Sequence, residues 1–499
     1  MKVIAQQTTL GTVQGHNNQG VNTYIGIPYA AAPVGELRFR APQPFIATDE
    51  LINKSPFKGA AMQPKRMGFT NSFMVNPDLF TEDCLYLNIF TPEQPDSEQP
   101  LPVMVWLHGG SAMFGSANQS IYAGEHLARE GIIVVTVNYR VGLFGYLELG
   151  SFTAGDYSGS GNNAMRDQLM ALQWVHRHIS EFGGDPARIT LTGESSGAKS
   201  IAGLLALPEA RVLLCGAILA SGTGDCVHSL ASAEEVTALF AGQLSMSQRK
   251  RLLTLDSASL IAAQEATAAQ YSRQFPFRAV IDQMLLTDTP EKMLRRKDLS
   301  SLNILMGFNR DDGWFQLPPA ALRPAGERNA SRYAGRLTHF SAERSRPLLE
   351  RALSLAPEKN LLQLVSDLEY IQPGLALLDT LSDSGARTYL YQFAIEQTEG
   401  PFAGFSVHAS DVPYVWRNFD DDYMSVFARP DAASHESGQA LMHTWVSFIK
   451  TGLPRSKLAT LPRYRPIEKA ALSFDNDGVA DLGDELRQRE AFWQRVLSY

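Results

Sequence analysis

Arg188 to Ser200 reads RITLTGESSGAKS. A short β-prone run, RITLT, leads into Gly-Glu-Ser-Ser-Gly, and AKSIAGLLAL then continues with helical spacing as far as Pro208. A strand that turns directly into a helix holds its corner residue in a sharp bend and presents that side chain at the end of the sheet. The corner here is Ser195, the centre of G-x-S-x-G. Gly193 and Gly197 would let the helix lie close against the strand. A glycine-rich turn capped by a serine explains the same letters, so the reading depends on what surrounds it.

Ser196 offers a competing grammar. With Lys199 it forms S-x-x-K, the signature of serine β-lactamases and related esterases, and Lys450 to Gly452 supplies a K-T-G. In that grammar K-T-G lies on an edge strand. Here it follows HTWVSFI, whose Trp445, Phe448 and Ile449 have helical spacing, and it precedes Leu-Pro, so it reads as a helix end with glycine at the cap. No S-D-N or Y-x-N occurs at a useful spacing. The backbone N–H of Ser196, one residue past the corner, is better used as an oxyanion donor.

Working outward, PVMVWLHGG (from Pro102) and GIIVVTVNYR (from Gly131) are continuous apolar runs, as expected of strands covered on both faces. RDQLMALQWVHRHISEF places Leu172, Val175, Ile179 and Phe182 on one helical stripe, and GGDP ends it. LCGAILASG, LNILMGFN and RTYLYQFA supply further strands. The alternation predicts an α/β fold with a large, mostly parallel sheet flanked by helices. With no repeat or low-complexity linker, residues 1–499 are expected to form a single domain. Helical segments around 231–300 and 315–381 are expected to cover the catalytic face.

A nucleophile in this position needs an oxyanion loop, an acid and a base, in the chain order Ser, acid, His. WLHGGSAMFG, after the strand ending at Leu107, has the small residues that let backbone N–H groups face a developing oxyanion. His108 sits too early to be the base and reads as support for this loop. Of the ten histidines, His339, His408, His435 and His443 follow a plausible acid. His443 shares a helix with Trp445, and neither His339 nor His435 has a strand before it. His408 follows RTYLYQFA by a loop. LNILMGFNRDDG offers Asp311 and Asp312 past a strand end, although an aspartate pair before glycine is also an ordinary turn.

The net charge of −8, with no dense Lys/Arg run, argues against nucleic-acid binding. No apolar run reaches membrane-spanning length, so no membrane association is expected. The mixed N-terminus MKVIAQQTTLGTVQG does not read as a signal peptide. Three cysteines without CxxC spacing fit a reducing compartment, and a cytoplasmic location is expected. Nothing in the sequence calls for a metal or an organic cofactor, and a monomer or weak homo-oligomer is expected.

Taken together, these segments resemble the type-B carboxylesterases, the cholinesterase-like branch of the α/β-hydrolases, especially bacterial p-nitrobenzyl-esterase-like members. The resemblance runs from YIGIPYAAAPVGELRF (from Tyr24) and EDCLYLNIFTP (from Glu82) through HGGSAMFG and FGGDPARITLTGESSGA. It continues to GFNRDDGWF, VHASDVPYVW and WVSFIKTGLP, covering nearly the whole chain. It implies the α/β-hydrolase fold and hydrolysis of esters, with Ser195 as nucleophile, His408 as base and Asp312, where the family usually has Glu, as acid. It places the oxyanion donors on the N–H groups of Gly110, Ser111 and Ser196. Ser111 replaces a common Gly, Ser196 a common Ala, and Ala409 the usual Gly after the histidine.

The resemblance further implies a carboxylate beside the nucleophile at Glu194 and a hydroxyl near the acid at Ser221. It implies ion pairs Arg38–Glu82 and Arg140–Asp167. Cys84 corresponds to half of a family disulfide, but GAAMQPK, the partner region, has no cysteine. The segment before Glu82, SFMVNPDLFT, lacks the Trp that would suit a quaternary ammonium. Phe73, Met74, Met113 and Phe275 are the candidate pocket residues. Uncharged carboxylic esters with short to medium acyl chains, of the p-nitrophenyl or p-nitrobenzyl type, are therefore expected as substrates. The alternatives are a non-catalytic binding protein on the same fold, or acyl transfer or amide hydrolysis by the same triad.

Overall fold

β5 (Leu101–Leu107) and β6 (Ile133–Val137) are buried at every residue, and they pair in parallel with each other. The computed structural model describes residues 2–47, 50–53, 59–65, 75–94, 99–272, 275–316, 342–356, 361–400, 402–419 and 432–498. These residues form two units. The first comprises Met1–Ala217, Val227–Tyr271 and Pro276–Met293, and the second Ile218–Cys226, Ser272–Phe275 and Leu294–Tyr499.

In the first unit β1 (Lys2–Thr8), β2 (Gly11–Asn18), β3 (Val21–Pro28) and β4 (Tyr86–Pro92) pair antiparallel in turn, and β4 pairs antiparallel with β6. β5 lies between β6 and β7 (Gly184–Glu194), parallel to both. The sequence anticipated the parallel part from its unbroken Val/Ile runs. It did not place the antiparallel N-terminal strands, because β1 and β2 are half exposed and polar.

α1 (Asn163–His178) buries Leu172 and Val175 along its apolar stripe. The stripe had suggested a helix running on through Phe182. Instead Ile179–Phe182 tightens into a 3₁₀ turn that ends at Gly183, whose φ of +85° closes the helix as only glycine does readily. The expected helices within 231–300 include Leu230–Gly242 and Ser257–Gln270. Buried ion pairs brace this unit. Arg140 grips Asp167 through two bonds of 2.8 and 2.6 Å, and Arg38 grips Glu82 at 2.7 and 2.6 Å. Cys84 is buried, and burial pushes its thiol well up. All three cysteines are thiols.

β8 (Gly216–Ala220) carries the chain into the second unit. There β9 (Asn303–Asn309), β10 (Arg387–Phe393) and β11 (Leu472–Asp475) pair in parallel, and β12 (Gly478–Asp481) closes the edge antiparallel to β11. Helices occupy Ala342–Leu355, Leu361–Ser366 and α3 (Gln372–Asp383), within the stretch 315–381 expected to be helical; residues 317–341 lie outside the described residues. α4 (Ala432–Thr451) contains His435 and His443 and ends at Gly452, with φ +73°. K-T-G is therefore a helix terminus and not an edge strand. Among the described residues, no helix is long and apolar enough to cross a membrane.

Candidate active site

Ser195 stands between the end of β7 and the start of α2 (Ser196–Ala206), with φ +54° and ψ −123°. A non-glycine residue held there stores strain on the order of 1–3 kcal/mol, so its surroundings must impose the conformation. The two glycines show how. A Cβ at Gly193 would lie 2.8 Å from the Leu107 carbonyl oxygen, and one at Gly197 would lie 2.7 Å from that of His108. With neither Cβ present, α2 rests directly on the end of β5, and the chain makes its turn at Ser195.

The loop after β5 lies against this corner. A Cβ at Gly109 would be 3.2 Å from Ser195 Cβ and 2.5 Å from Glu194 Oε2. Gly110, Ser111 and Ala112 follow with φ of +118°, +55° and +61°. Among the described residues, none of the N–H groups of Gly110, Ser111 and Ser196 donates to a protein acceptor. Donors left open in a strained loop beside a bent serine suit a developing oxyanion. Met113 is buried and closes the loop by donating its N–H to the Gly110 carbonyl at 2.9 Å.

His108 supports the loop from beneath. Its ring stacks on Tyr139 at 4.3 Å, its Nδ1 lies 2.7 Å from the Gly109 carbonyl, and the Tyr139 hydroxyl donates to the His108 carbonyl at 2.5 Å. Burial lowers the His108 imidazole to about 4, against the opposing pull of its bond to Gly109. Below the ordinary imidazole value of about 6.5 the unfolded chain takes up a proton that the folded one refuses, down to about 4. Stability from this residue is therefore present at neutral pH and lost as pH falls through that window. Between pH 7 and pH 5 the loss is about 2 kcal/mol. Urea unfolding at both pH values should show His108→Gln losing less on acidification than the unaltered protein. An equal loss would mean that His108 does not carry this pH dependence.

The Ser196 hydroxyl is buried in the first turn of α2 with no hydrogen-bond partner among the described residues, and Lys199 does not bond to it as a base would. The S-x-x-K spacing thus brings no base to Ser196.

In the second unit, the turn after β9 holds the acids and the loop after β10 holds the histidine. Asp312 Oδ1 lies 2.7 Å from His408 Nδ1. The Ser221 hydroxyl lies 2.9 and 2.8 Å from the two Asp312 oxygens, and the Asn309 N–H donates to Oδ2 at 3.0 Å. Asp312 is wholly buried. A carboxylate held by these donors is fixed in place and can orient an imidazole through Nδ1–H. Asp311 faces elsewhere. It accepts from the Ser406 N–H at 2.8 Å and from Arg310 at 2.9 and 3.1 Å, and its own N–H donates to the Ser406 carbonyl. Asp311 therefore stitches the histidine loop to the acid turn. Ala409, where the family usually has glycine, sits at φ +64°.

Two residues of this half escaped the sequence reading. Asp411 is buried three positions after His408 and accepts from the Asn309 amide at 3.2 Å. Its carboxyl is pushed up to about 6, chiefly by burial; the Asn309 bond opposes this and the Asp312 charge adds to it. Tyr370 sets its ring 5.0 Å from that of His408. Asp411 could have been suspected from its spacing to His408, but nothing in the sequence marks Tyr370. Of the candidate pocket residues, Phe275 is half-buried at φ +55°, while Phe73 and Met74 lie outside the described residues. Among the described residues, no grouping of His, Cys, Asp and Glu is placed to hold a metal ion.

A bent serine beside open backbone donors, with an acid-held histidine, belongs to the serine hydrolases of α/β-hydrolase type. The sequence pattern of the Carboxylesterase family matches residues 2–493, and the chain belongs to that family. It is similar to the para-nitrobenzyl esterase of Bacillus subtilis (strain 168), 32% identical over 492 residues that cover 97% of each chain. It is also similar to human Carboxylesterase 5A, 30% identical with 99% of this chain and 89% of that one covered. Among solved structures, a PNB esterase superposes with a TM-score of 0.82 at 31% identity, covering 97% of this chain and 99% of that one. The chain has the α/β-hydrolase fold and is a serine carboxylesterase, a carboxylic ester hydrolase.

Proposed function

We propose that residues 1–499 act as one catalytic domain in which Ser195, His408 and Asp312 form the triad. His408 Nε2 takes the Ser195 proton as Oγ attacks the ester carbonyl. The oxyanion is held by the N–H groups of Gly110, Ser111 and Ser196. Collapse expels the alcohol, which leaves with the proton returned by His408. Water, activated by the same imidazole, then releases the acid from the acyl-enzyme. Glu194 lines the nucleophile's surroundings and Ser221 fixes the acid. The observation that carries this reading is the strained Ser195 corner with open donors packed beside it.

The substrates in this reading are uncharged esters of short to medium acyl chains, taken against a wall that includes Phe73, Met74, Met113 and Phe275, with the helices of 231–300 and 315–381 over the site. Support comes from the Met- and Phe-rich, Trp-free sequence before Glu82 and from the para-nitrobenzyl esterase named among its relatives. The protein works in the cytoplasm as a monomer or weak homo-oligomer, a location that its three thiols favour. A panel of p-nitrophenyl esters of graded chain length, with a choline ester, the matching amide and an alcohol acceptor, tests this. Neutral esters should give the highest kcat/KM. Preference for the choline ester over its neutral isostere, for the amide, or for transfer to the alcohol over water would contradict it.

A further inference from the structure

We propose that Tyr370, delivered by a π-turn in the second unit, is a positioning residue that favours the protonated form of His408 as the serine proton is transferred. The proposal rests on His408 being the base. Helix Leu361–Ser366 runs into a single π-turn, Asp367–Ile371, before continuing as α3. The cause lies in the sequence. Pro373 has no N–H to give to the carbonyl four residues back, so the regular ladder is interrupted there. Isolated π-turns are often found at functional sites.

The turn is anchored at its start. Asp367 accepts from the Trp493 indole N–H at 2.9 Å and from Arg489 at 3.3 Å. The Ser366 hydroxyl accepts the N–H of Gly313, the residue after the acid, at 2.9 Å and donates to the Leu362 carbonyl at 2.8 Å. A Cβ at Gly313 would lie 2.5 Å from the Ser366 nitrogen. Past the turn, Gly374 lets α3 close onto Phe308 of β9, whose ring leaves no room for a Cβ. One segment therefore fixes the acid's loop and aims an aromatic ring at the base. Tyr370 is 3% exposed, and its ring meets the His408 ring at 5.0 Å with 41° between the planes.

An aromatic ring attracts a cation at this distance and favours a neutral imidazole far less. In the reaction, His408 gains a charge when it takes the serine proton. The contact is therefore stronger in the transition state than before it, which is the condition for accelerating the chemical step. Among the described residues of this unit, the ionisable groups near His408 include Asp312 at Nδ1, Asp411 and Tyr370 itself. The Asp411 carboxyl, pushed up to about 6, titrates within the pH span recorded, so the test is run in its presence and in the Asp411→Asn background.

The experiment records kcat and KM against pH for the unaltered enzyme, Tyr370→Phe and Tyr370→Leu, with the melting temperature of each. Tyr370→Leu should lower kcat about 3- to 30-fold with little change in KM, and move the acid limb of the kcat profile to lower pH. Tyr370→Phe, which keeps the ring, should restore both, in either Asp411 background. If the leucine variant does not fold, pentafluorophenylalanine at position 370 keeps the shape, reverses the ring's polarity and should show the same losses. An unmoved acid limb in the leucine or fluorinated variant overturns the proposal. So does a phenylalanine variant as impaired as the leucine one, since the hydroxyl would then be the active group. An unaltered enzyme with no acid limb, or with activity surviving His408→Ala, would instead strike at the reading of His408 as base.

Discussion

Ser195→Ala is expected to lower kcat toward esters by about four to six orders of magnitude, the scale on which loss of the nucleophile disables enzymes of this type. The residual rate would come from binding and the oxyanion donors, which the substitution leaves in place. Alanine does not remove the backbone strain, because it keeps a Cβ at φ +54°. Ser195→Gly does remove it. The glycine variant should be as inactive as the alanine one yet more resistant to heat, by about 1 kcal/mol in unfolding free energy. Kinetics and thermal melts on the same preparations check both parts. Ser196→Ala should retain much of the activity, since its contribution is an N–H that alanine also has. A large loss at Ser196 together with tolerance at Ser195 would reverse the assignment.

Asp312→Asn is the second large effect, with a fall in kcat of about 10⁴ at neutral pH. The surroundings dictate how the amide sits. Ser221 Oγ and the Asn309 N–H both present donors to this position, so the asparagine oxygen turns toward them. Its NH₂ then faces His408 Nδ1, where Asp312 Oδ1 stood at 2.7 Å. A donor at Nδ1 drives the imidazole proton to Nε2, the atom that must accept the serine proton. Asp311→Asn should cost far less, about tenfold or under, because an amide oxygen can still accept from the Ser406 N–H. Steady-state kinetics of the two variants, with circular dichroism to show retained folding, checks the pair. A greater loss at Asp311 would move the acid by one residue.

What could be read from the sequence followed from local chemistry. The corner at Ser195 was legible because a strand, two small residues and a helix occur within a few positions of each other. β5 and β6 were legible because burial on both faces removes polar residues from the run. The choice between Asp311 and Asp312 could not be made from spacing. Both lie past the end of β9, and what separates them is that one turns toward His408 and the other toward Arg310 and Ser406. Resemblance alone favoured Asp312 in advance. Tyr370 was invisible because its approach to His408 depends on a π-turn, and a proline within an apolar helical run signals a break without saying what the break will aim. Ser196 and Lys199 show the reverse, a motif with the right letters whose hydroxyl meets no base among the described residues.

The central claim is that Ser195 forms the covalent intermediate. Its most direct test is to inactivate the enzyme with a p-nitrophenyl organophosphonate, digest it, and locate the adduct by tandem mass spectrometry. The account predicts one phosphonyl group per active chain, carried by Ser195, with p-nitrophenol released in step with loss of activity and no adduct in the Ser195→Ala protein. A phosphonyl group on Ser196 or on any other residue, appearing in step with inactivation, would contradict it.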